Sequence, residues 1–77
     1  MERFFMPRTR AIALIVTARR TMLAHADERL PADAQRMRDG AIALERLLLD
    51  VRAGRVDSFE LMHPTPIHVT VSSESES

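Results

Sequence analysis

The chain has 77 residues and no cysteine, and its 11 basic and 11 acidic residues give a formal net charge of zero. A chain of this length forms one small domain with a modest core, and without cysteine neither disulfides nor thiolate-bound metals can reinforce it. Balanced charge gives no global field that attracts nucleic acid or an anionic membrane. We therefore expect neither of those partners, and we expect self-association to supplement the core.

The N-terminal region has some features of an export signal. Arginines precede an apolar run over residues 11–18, and Ala24-His25-Ala26 follows in the pattern of a cleavage site. Arg19 and Arg20 interrupt the apolar segment, however, and a run of eight residues is far shorter than the roughly 20 needed to span a membrane. We therefore expect a cytoplasmic protein.

The first predicted helix covers residues 8–29. Pro7 suits a first-turn position, and Pro31 forces Leu30 out of the helical conformation. Apolar residues recur between these limits at steps of three and four, the spacing of one helical face. The predicted inner stripe is Ala11, Ile12, Ile15, Ala18, Met22, Leu23, Ala26 and Leu30.

The second predicted helix covers residues 32–53. Asp33 in its first turn suits the helix dipole, and Gly54 supplies a C-terminal stop after Arg52. The short connection makes the two helices antiparallel neighbours. The predicted inner stripe of this helix is Met37, Ala41, Leu44, Leu48 and Val51.

Two alternating segments follow, at residues 56–62 and 67–72, and they predict a short β-hairpin or an extended β arm. An isolated hairpin is marginally stable in water, so its apolar face should lie on the helices or pair with another chain. The predicted architecture is mainly α: an antiparallel helical hairpin with a β arm. Residues 1–71 form one domain, and residues 72–77 form a polar, mobile tail.

The first six residues are too apolar for a free terminus. Phe4 and Phe5 are expected to cover the open end of the hairpin or to form an edge strand. Packing is the favoured role for these rings and for Phe59, because large apolar groups are normally buried. Since an incomplete core leaves such rings available, Phe4 and Phe5 are also candidate partner-binding residues.

Arg19 lies on the apolar stripe of the first helix, and a buried guanidinium needs a partner. Its position across the turn is near Ile42, and no acid on the opposing inner stripe faces it. Three environments remain open: solvent, a carboxylate of a second chain, or an anionic ligand held with Arg8 and Arg20. Gly40 has two possible explanations. Either a backbone or the stem of Arg19 approaches closely there, or the glycine is simply tolerated.

The sequence contains little that resembles a catalytic site. His63, His68 and Glu60 could be viewed as a metal site on a proline-rich turn, but three weak ligands on a loop make a poor zinc site. Surface histidines are the favoured interpretation. We therefore predict no enzymatic activity, no cofactor and no metal.

Ile42 and Leu49 lie seven residues apart on the back of the second helix, away from its inner stripe. The C-terminal arm, a second subunit or a target protein should cover them. We therefore expect a non-catalytic protein-binding module that self-associates and acts as an inhibitor or accessory regulator of a larger macromolecule. The alternative is a binder of small anionic or nucleotide-like ligands through Arg8, Arg19 and Arg20. A DNA-binding regulator is less favoured, because the charge is neutral and no helix-turn-helix pair is evident.

Overall fold

A computed structural model describes residues 1–62 and 66–72. Within them the chain forms two helices and three short strands. In chain order the elements are β1 (Glu2–Met6), α1 (Arg8–Ala26), α2 (Pro31–Arg52), β2 (Ser58–Leu61) and β3 (Ile67–Val71). The protein is therefore mainly helical, as predicted, and its strands form a three-stranded mixed sheet rather than a two-stranded hairpin or an extended arm alone. Neither helix is long and apolar enough to cross a membrane.

The helix α1 begins as predicted and ends earlier. The Ala11 N–H donates to the Pro7 carbonyl, which starts the helix at Arg8. The last helical residue is Ala26, three residues before the predicted end at 29. Leu30 is 74% exposed and precedes α2 as its N-cap residue, so its placement on the inner stripe of α1 was wrong. Its extended backbone, required before proline, directs it away from the core.

The helix α2 follows the predicted chemistry closely. It begins at Pro31, carries Asp33 in its first turn and has Arg52 in its last turn. Gly54 has a φ of +79°, the left-handed conformation in which glycine commonly terminates a helix. The predicted inner stripe is confirmed as the side with least exposure, with Ala41 and Val51 buried and the other members partly buried.

The strands form one mixed sheet in the order β1-β3-β2. The pairing of β2 with β3 is antiparallel, with Phe59 opposite Val69, so the C-terminal segments form the hairpin rather than an extended arm. The pairing of β1 with β3 is parallel, with Phe4 opposite Val69. The N-terminal residues therefore form an edge strand, the second of the two arrangements expected for them.

The core lies between the sheet and one part of the helical hairpin. Ile15, Val51 and Val69 are fully buried there. Phe59 is 7% exposed, which confirms the packing role expected for this ring, but Phe5 is 72% exposed, so the same expectation was wrong for Phe5. Leu47, which is absent from the predicted stripes, also packs against this cluster.

The rest of the interface between the helices contains small side chains. The buried residues toward the connection are Ala26, Ala34 and Ala41. At Gly40, an added Cβ would lie 3.0 Å from Met22 Cε and 3.2 Å from Met22 Sδ. The close approach at this glycine is thus made by the Met22 side chain, and not by a backbone or by the stem of Arg19.

Candidate interaction surfaces

The strand β1 lies at an edge of the sheet, with no described strand on its outer side. Phe4 shares the helix-facing side of the sheet with Val69, its partner in register, and is 41% exposed. Phe5 lies beside Thr70 on the opposite side and is 72% exposed. Both faces of this strand therefore present an aromatic ring to the surroundings.

The backbone of β1 also has groups without partners among the described residues. The Ser72 N–H donates to the Met6 carbonyl at 2.7 Å, which shows that the Met6 backbone faces β3. Successive residues of a strand direct their N–H and C=O groups to opposite sides, so the backbones of Arg3 and Phe5 face outward. We call these outward-facing backbone groups of Arg3 and Phe5, together with the side chains of Phe4 and Phe5, the β1 edge.

The strand β2 at the other edge is different. Its two apolar residues, Phe59 and Leu61, are 7% and 3% exposed. Ser58 and Glu60 occupy the opposite face, so the strand alternates between apolar and polar residues. An inward apolar face with polar side chains outward is typical of a strand that needs no further cover.

A second apolar surface lies on α2. Ile42 and Leu49 are 52% and 53% exposed, and Arg46 lies between them on the same side of the helix. Arg46 is exposed and has no hydrogen bond or ion pair with another described residue. We call these three residues the α2 outer surface. The described strands do not cover this surface. The C-terminal arm, as far as the structure describes it, is therefore not what covers Ile42 and Leu49, and a second subunit or a target protein remains.

Arg8 joins three parts of the chain. Its Nη1 donates to the Val51 carbonyl at 2.6 Å and to the Val56 carbonyl at 3.4 Å. Its Nη2 donates to Asp57 Oδ1 at 2.9 Å. A cation at the last turn of a helix satisfies carbonyls that lack partners and interacts favourably with the helix dipole. Arg8 thus links the start of α1 to the end of α2 and to the start of β2.

Arg19 lies at the boundary between the helices and solvent. Its side chain is 40% exposed, and its Nη2 lies 3.8 Å from Glu45 Oε1. Its Nε is buried and has no hydrogen-bond partner among the described residues. An acid therefore does approach Arg19, from beside the inner stripe of α2 rather than from within it.

The structure does not bring the three candidate arginines together. Arg8 and Arg19 are 11 residues apart in one helix, which separates their Cα atoms by about 16 Å. Arg20 is exposed and follows Arg19 at a turn of about 100° around the helix. These side chains present no shared cradle for a single small anion.

The exposed face of the sheet carries a polar row of Arg3, His68 and Glu60, which are neighbours in register. His68 Nδ1 lies 3.9 Å from Glu60 Oε2. No group of three potential metal ligands occurs among the described residues. His63, the third residue considered for a metal site, lies outside them.

A groove runs along the helical hairpin beyond the end of the sheet. Its volume is about 480 Å³. Met22 and Met37 from the two helices lie at one end with His25 and Arg29, and Leu61 lies at the sheet end. Sequence reasoning missed this groove because it placed Met22 and Met37 on inner stripes that the opposing helix would cover, whereas alanines form the contact there.

The comparison with protein families gives a match. The model of the family described as "Uncharacterized protein BTH_I2711-like" matches residues 2–72. The chain belongs to this family. The search of curated proteins and the search of solved structures gave no match. The matched residues span all five elements, from β1 through β3, so the β1 edge and the α2 outer surface both lie within the family region.

Proposed function

We propose that this chain is a non-catalytic protein-binding module that self-associates and acts as an inhibitor or accessory regulator of a larger macromolecule. The observation that supports the proposal is the exposure of large apolar side chains on two separate elements. Phe5 on β1, and Ile42 and Leu49 on α2, are each more than half exposed. Grouped apolar exposure on a small domain is typical of surfaces that bind another polypeptide.

The α2 outer surface indicates the chemistry of the partner. Ile42 and Leu49 are seven residues apart, two turns of one helical side, which is the spacing of anchors in helix-in-groove recognition. Arg46 lies between them without a partner among the described residues. We infer that the partner protein offers an apolar groove with a carboxylate at its rim. The aliphatic part of Arg46 would pack on the groove while its guanidinium pairs with that carboxylate.

The alternative, binding of a small anionic or nucleotide-like ligand, has less support. The Nη atoms of Arg8 already donate to two carbonyls and to Asp57. Arg19 retains an unpartnered Nε, but this atom is buried and its guanidinium lies near Glu45. A ligand would therefore have to displace existing contacts at both positions.

The test begins with purification of the full chain from its native host and identification of what is bound. A polypeptide partner would then be produced separately and titrated against wild type, Ile42→Asp and Leu49→Asp. Each variant should weaken binding by about tenfold or more, because it places a charge in a desolvated contact. Leu30→Asp is the matched control, since Leu30 is 74% exposed and lies outside the α2 outer surface.

Two outcomes would overturn the proposal. If Ile42→Asp, Leu49→Asp and Leu30→Asp all bind the partner with the affinity of wild type, the α2 outer surface is not part of the binding site. A nucleotide or another phosphate-rich compound that is released on denaturation, with no polypeptide present at equal stoichiometry, would favour the alternative.

A further inference from the structure

We propose that the β1 edge pairs antiparallel with β1 of a second copy of this chain, around a two-fold axis that passes between the two Phe4 residues. The inference rests on the self-association part of the proposed function and specifies its surface and register. Two three-stranded sheets would then form one six-stranded sheet, in the order β2-β3-β1-β1-β3-β2.

The outward backbone groups restrict the possible registers. A two-fold axis perpendicular to the sheet keeps each side chain on its own face. Two residues that lie opposite each other therefore share a face, and the sum of their residue numbers must be even. When they add to eight, Arg3 of one copy lies opposite Phe5 of the other, and Phe4 lies opposite Phe4. Arg3 and Phe5 are the residues whose N–H and C=O groups face outward. Each of the two Arg3–Phe5 pairs can therefore exchange two hydrogen bonds.

The neighbouring registers are less favourable. A sum of six places Arg3 directly opposite Arg3 of the second copy, and like charges in opposed positions are destabilising. A sum of ten places Arg3 opposite Pro7, which has no N–H to donate. Only the register centred on Phe4 uses both outward-facing residues of Glu2–Met6 and opposes unlike side chains at each hydrogen-bonded pair.

The side chains are complementary in the same register. The Phe4 rings meet at a pair without hydrogen bonds, where opposed side chains are closest. On the other face, the guanidinium of Arg3 lies next to the Phe5 ring of the second copy, in position for a cation–π contact. Arg3 is available for this contact because its side chain has no partner among the described residues.

Of the two edge strands, β1 is better suited than β2 to pair with a second copy of the chain. Phe4 and Phe5 give β1 exposed apolar groups on both faces, and an exposed hydrophobic edge strand is prone to pair with a strand of another chain. Ser58 and Glu60 give β2 a polar outer face, whereas Phe5 lies on that same face of β1 and is 72% exposed. The contact involves five residues of each copy, and interfaces smaller than about 1,000 Å² are weak or transient, so we expect a dimer that dissociates at micromolar concentrations.

Sedimentation equilibrium of the full chain tests the edge. Wild type should change from monomer to dimer as concentration rises. Phe5→Pro removes an outward N–H and spares the bonds between β1 and β3, so the dissociation constant should increase about 30-fold from the loss of one bond at each of two symmetric sites. Phe5→Ala keeps the N–H and loses only the ring, and should weaken the dimer less. Phe5→Lys serves as a second variant if the proline variant lacks the wild-type circular dichroism spectrum.

Single cysteines test the register, since the chain has none of its own. Phe4→Cys should form a disulfide-linked dimer on mild oxidation, because Cβ atoms at a pair without hydrogen bonds lie close enough to be bridged. Phe5→Cys alone and Arg3→Cys alone should link poorly, whereas a mixture of those two variants should link to each other. Preferential linkage of Phe5→Cys to itself would contradict this register.

The α2 outer surface separates this inference from the proposed function. Ile42→Asp should leave the sedimentation behaviour unchanged, whereas Phe5→Pro should weaken the dimer. A chain that stays monomeric at all concentrations and binds a partner through Ile42 would overturn the dimer and leave the binding function intact. Dimerisation that is abolished by Ile42→Asp and unaffected by Phe5→Pro would overturn the β1 edge as its surface.

Discussion

The two halves of the helical hairpin are packed by different means. In the half under the sheet, Ile15 and Val51 are fully buried against Val69 of β3. In the half near the connection, the buried residues are alanines, with Ala26 and Ala34 at 2% and 4% exposure. Burial energy scales with the apolar area removed from water, so the sheet-covered half contributes most of the stabilisation. The other half depends on close approach of the helices.

The same contrast explains where surface remains exposed. The sheet ends at Leu61 and Ile67, and beyond that end the groove extends toward Met37. A molecule with a long axis of 45 Å cannot be covered along its length by strands of four or five residues. The helices therefore extend past the sheet, and their uncovered half is the region expected to open first in local unfolding.

The largest expected effect lies in the sheet-covered half. Ile15→Ala should destabilise the fold by about 2 to 5 kcal/mol, because it leaves a cavity in a fully buried position. The matched change in the other half, Leu23→Ala, removes a partly buried side chain and should cost about half as much or less. Urea unfolding monitored by circular dichroism gives both values. Equal losses would show that the two halves contribute alike.

Arg8 provides the next effect, through polar contacts in the same half. Arg8→Met removes the donors to Val51 and Asp57, although the Val51 carbonyl still accepts from the Gly54 N–H at 3.1 Å. Loss of hydrogen bonds to a charged group should lower the free energy of unfolding by about 1.5 to 3 kcal/mol. Arg10→Met is the control, because Arg10 is exposed and has no contact of this kind among the described residues. A similar loss in both variants would point to helix propensity rather than to the Arg8 contacts.

Local pattern was sufficient for the helices. The apolar spacing, the proline at the start of each helix and Gly54 after α2 all act within a few residues of their own positions. The exposure of Ile42 and Leu49 followed from the same periodicity. The main errors at helix ends, such as Leu30, arose where the stripe was extended past the point at which the backbone leaves the helix.

Contacts between distant residues were not predictable in this way. The parallel pairing of Glu2 with Ile67 joins opposite ends of the chain, and no neighbouring residue specifies it. The partners of Arg8 lie more than 40 positions away, and two of them are backbone carbonyls, which every residue possesses. A periodicity identifies the face on which a side chain starts, but it does not identify what a long side chain reaches.

Gly40 offers a smaller effect in the half near the connection. Gly40→Ala should raise stability by about 0.5 to 1 kcal/mol, because alanine is the better helix former in a helix interior. The added Cβ would lie 3.0 Å from Met22 Cε, the far end of a flexible side chain that can move aside. Thermal unfolding of wild type and variant measures the change. Destabilisation would mean that Met22 is held in place more firmly than its flexibility suggests.

Arg19 should give the smallest effect of the series. Its pair with Glu45 spans 3.8 Å between side chains that are 40% and 56% exposed, and exposed pairs contribute at most about 1 kcal/mol. Its buried, unpartnered Nε is an unfavourable feature that methionine would remove. Arg19→Met should therefore leave the free energy of unfolding within about 0.5 kcal/mol of wild type, or raise it.

Arg19→Lys completes the comparison. It keeps the charge and lacks the planar fork, so it differs from Arg19→Met in the properties that matter for binding an anion. Unchanged partner affinity and unchanged dimer mass in both variants would mean that Arg19 reaches solvent with its stem packed on the helices. Loss of binding in both variants, with stability retained, would instead assign Arg19 to a carboxylate or anion of a partner. That result would extend the interaction surface from α2 across the helix interface to α1.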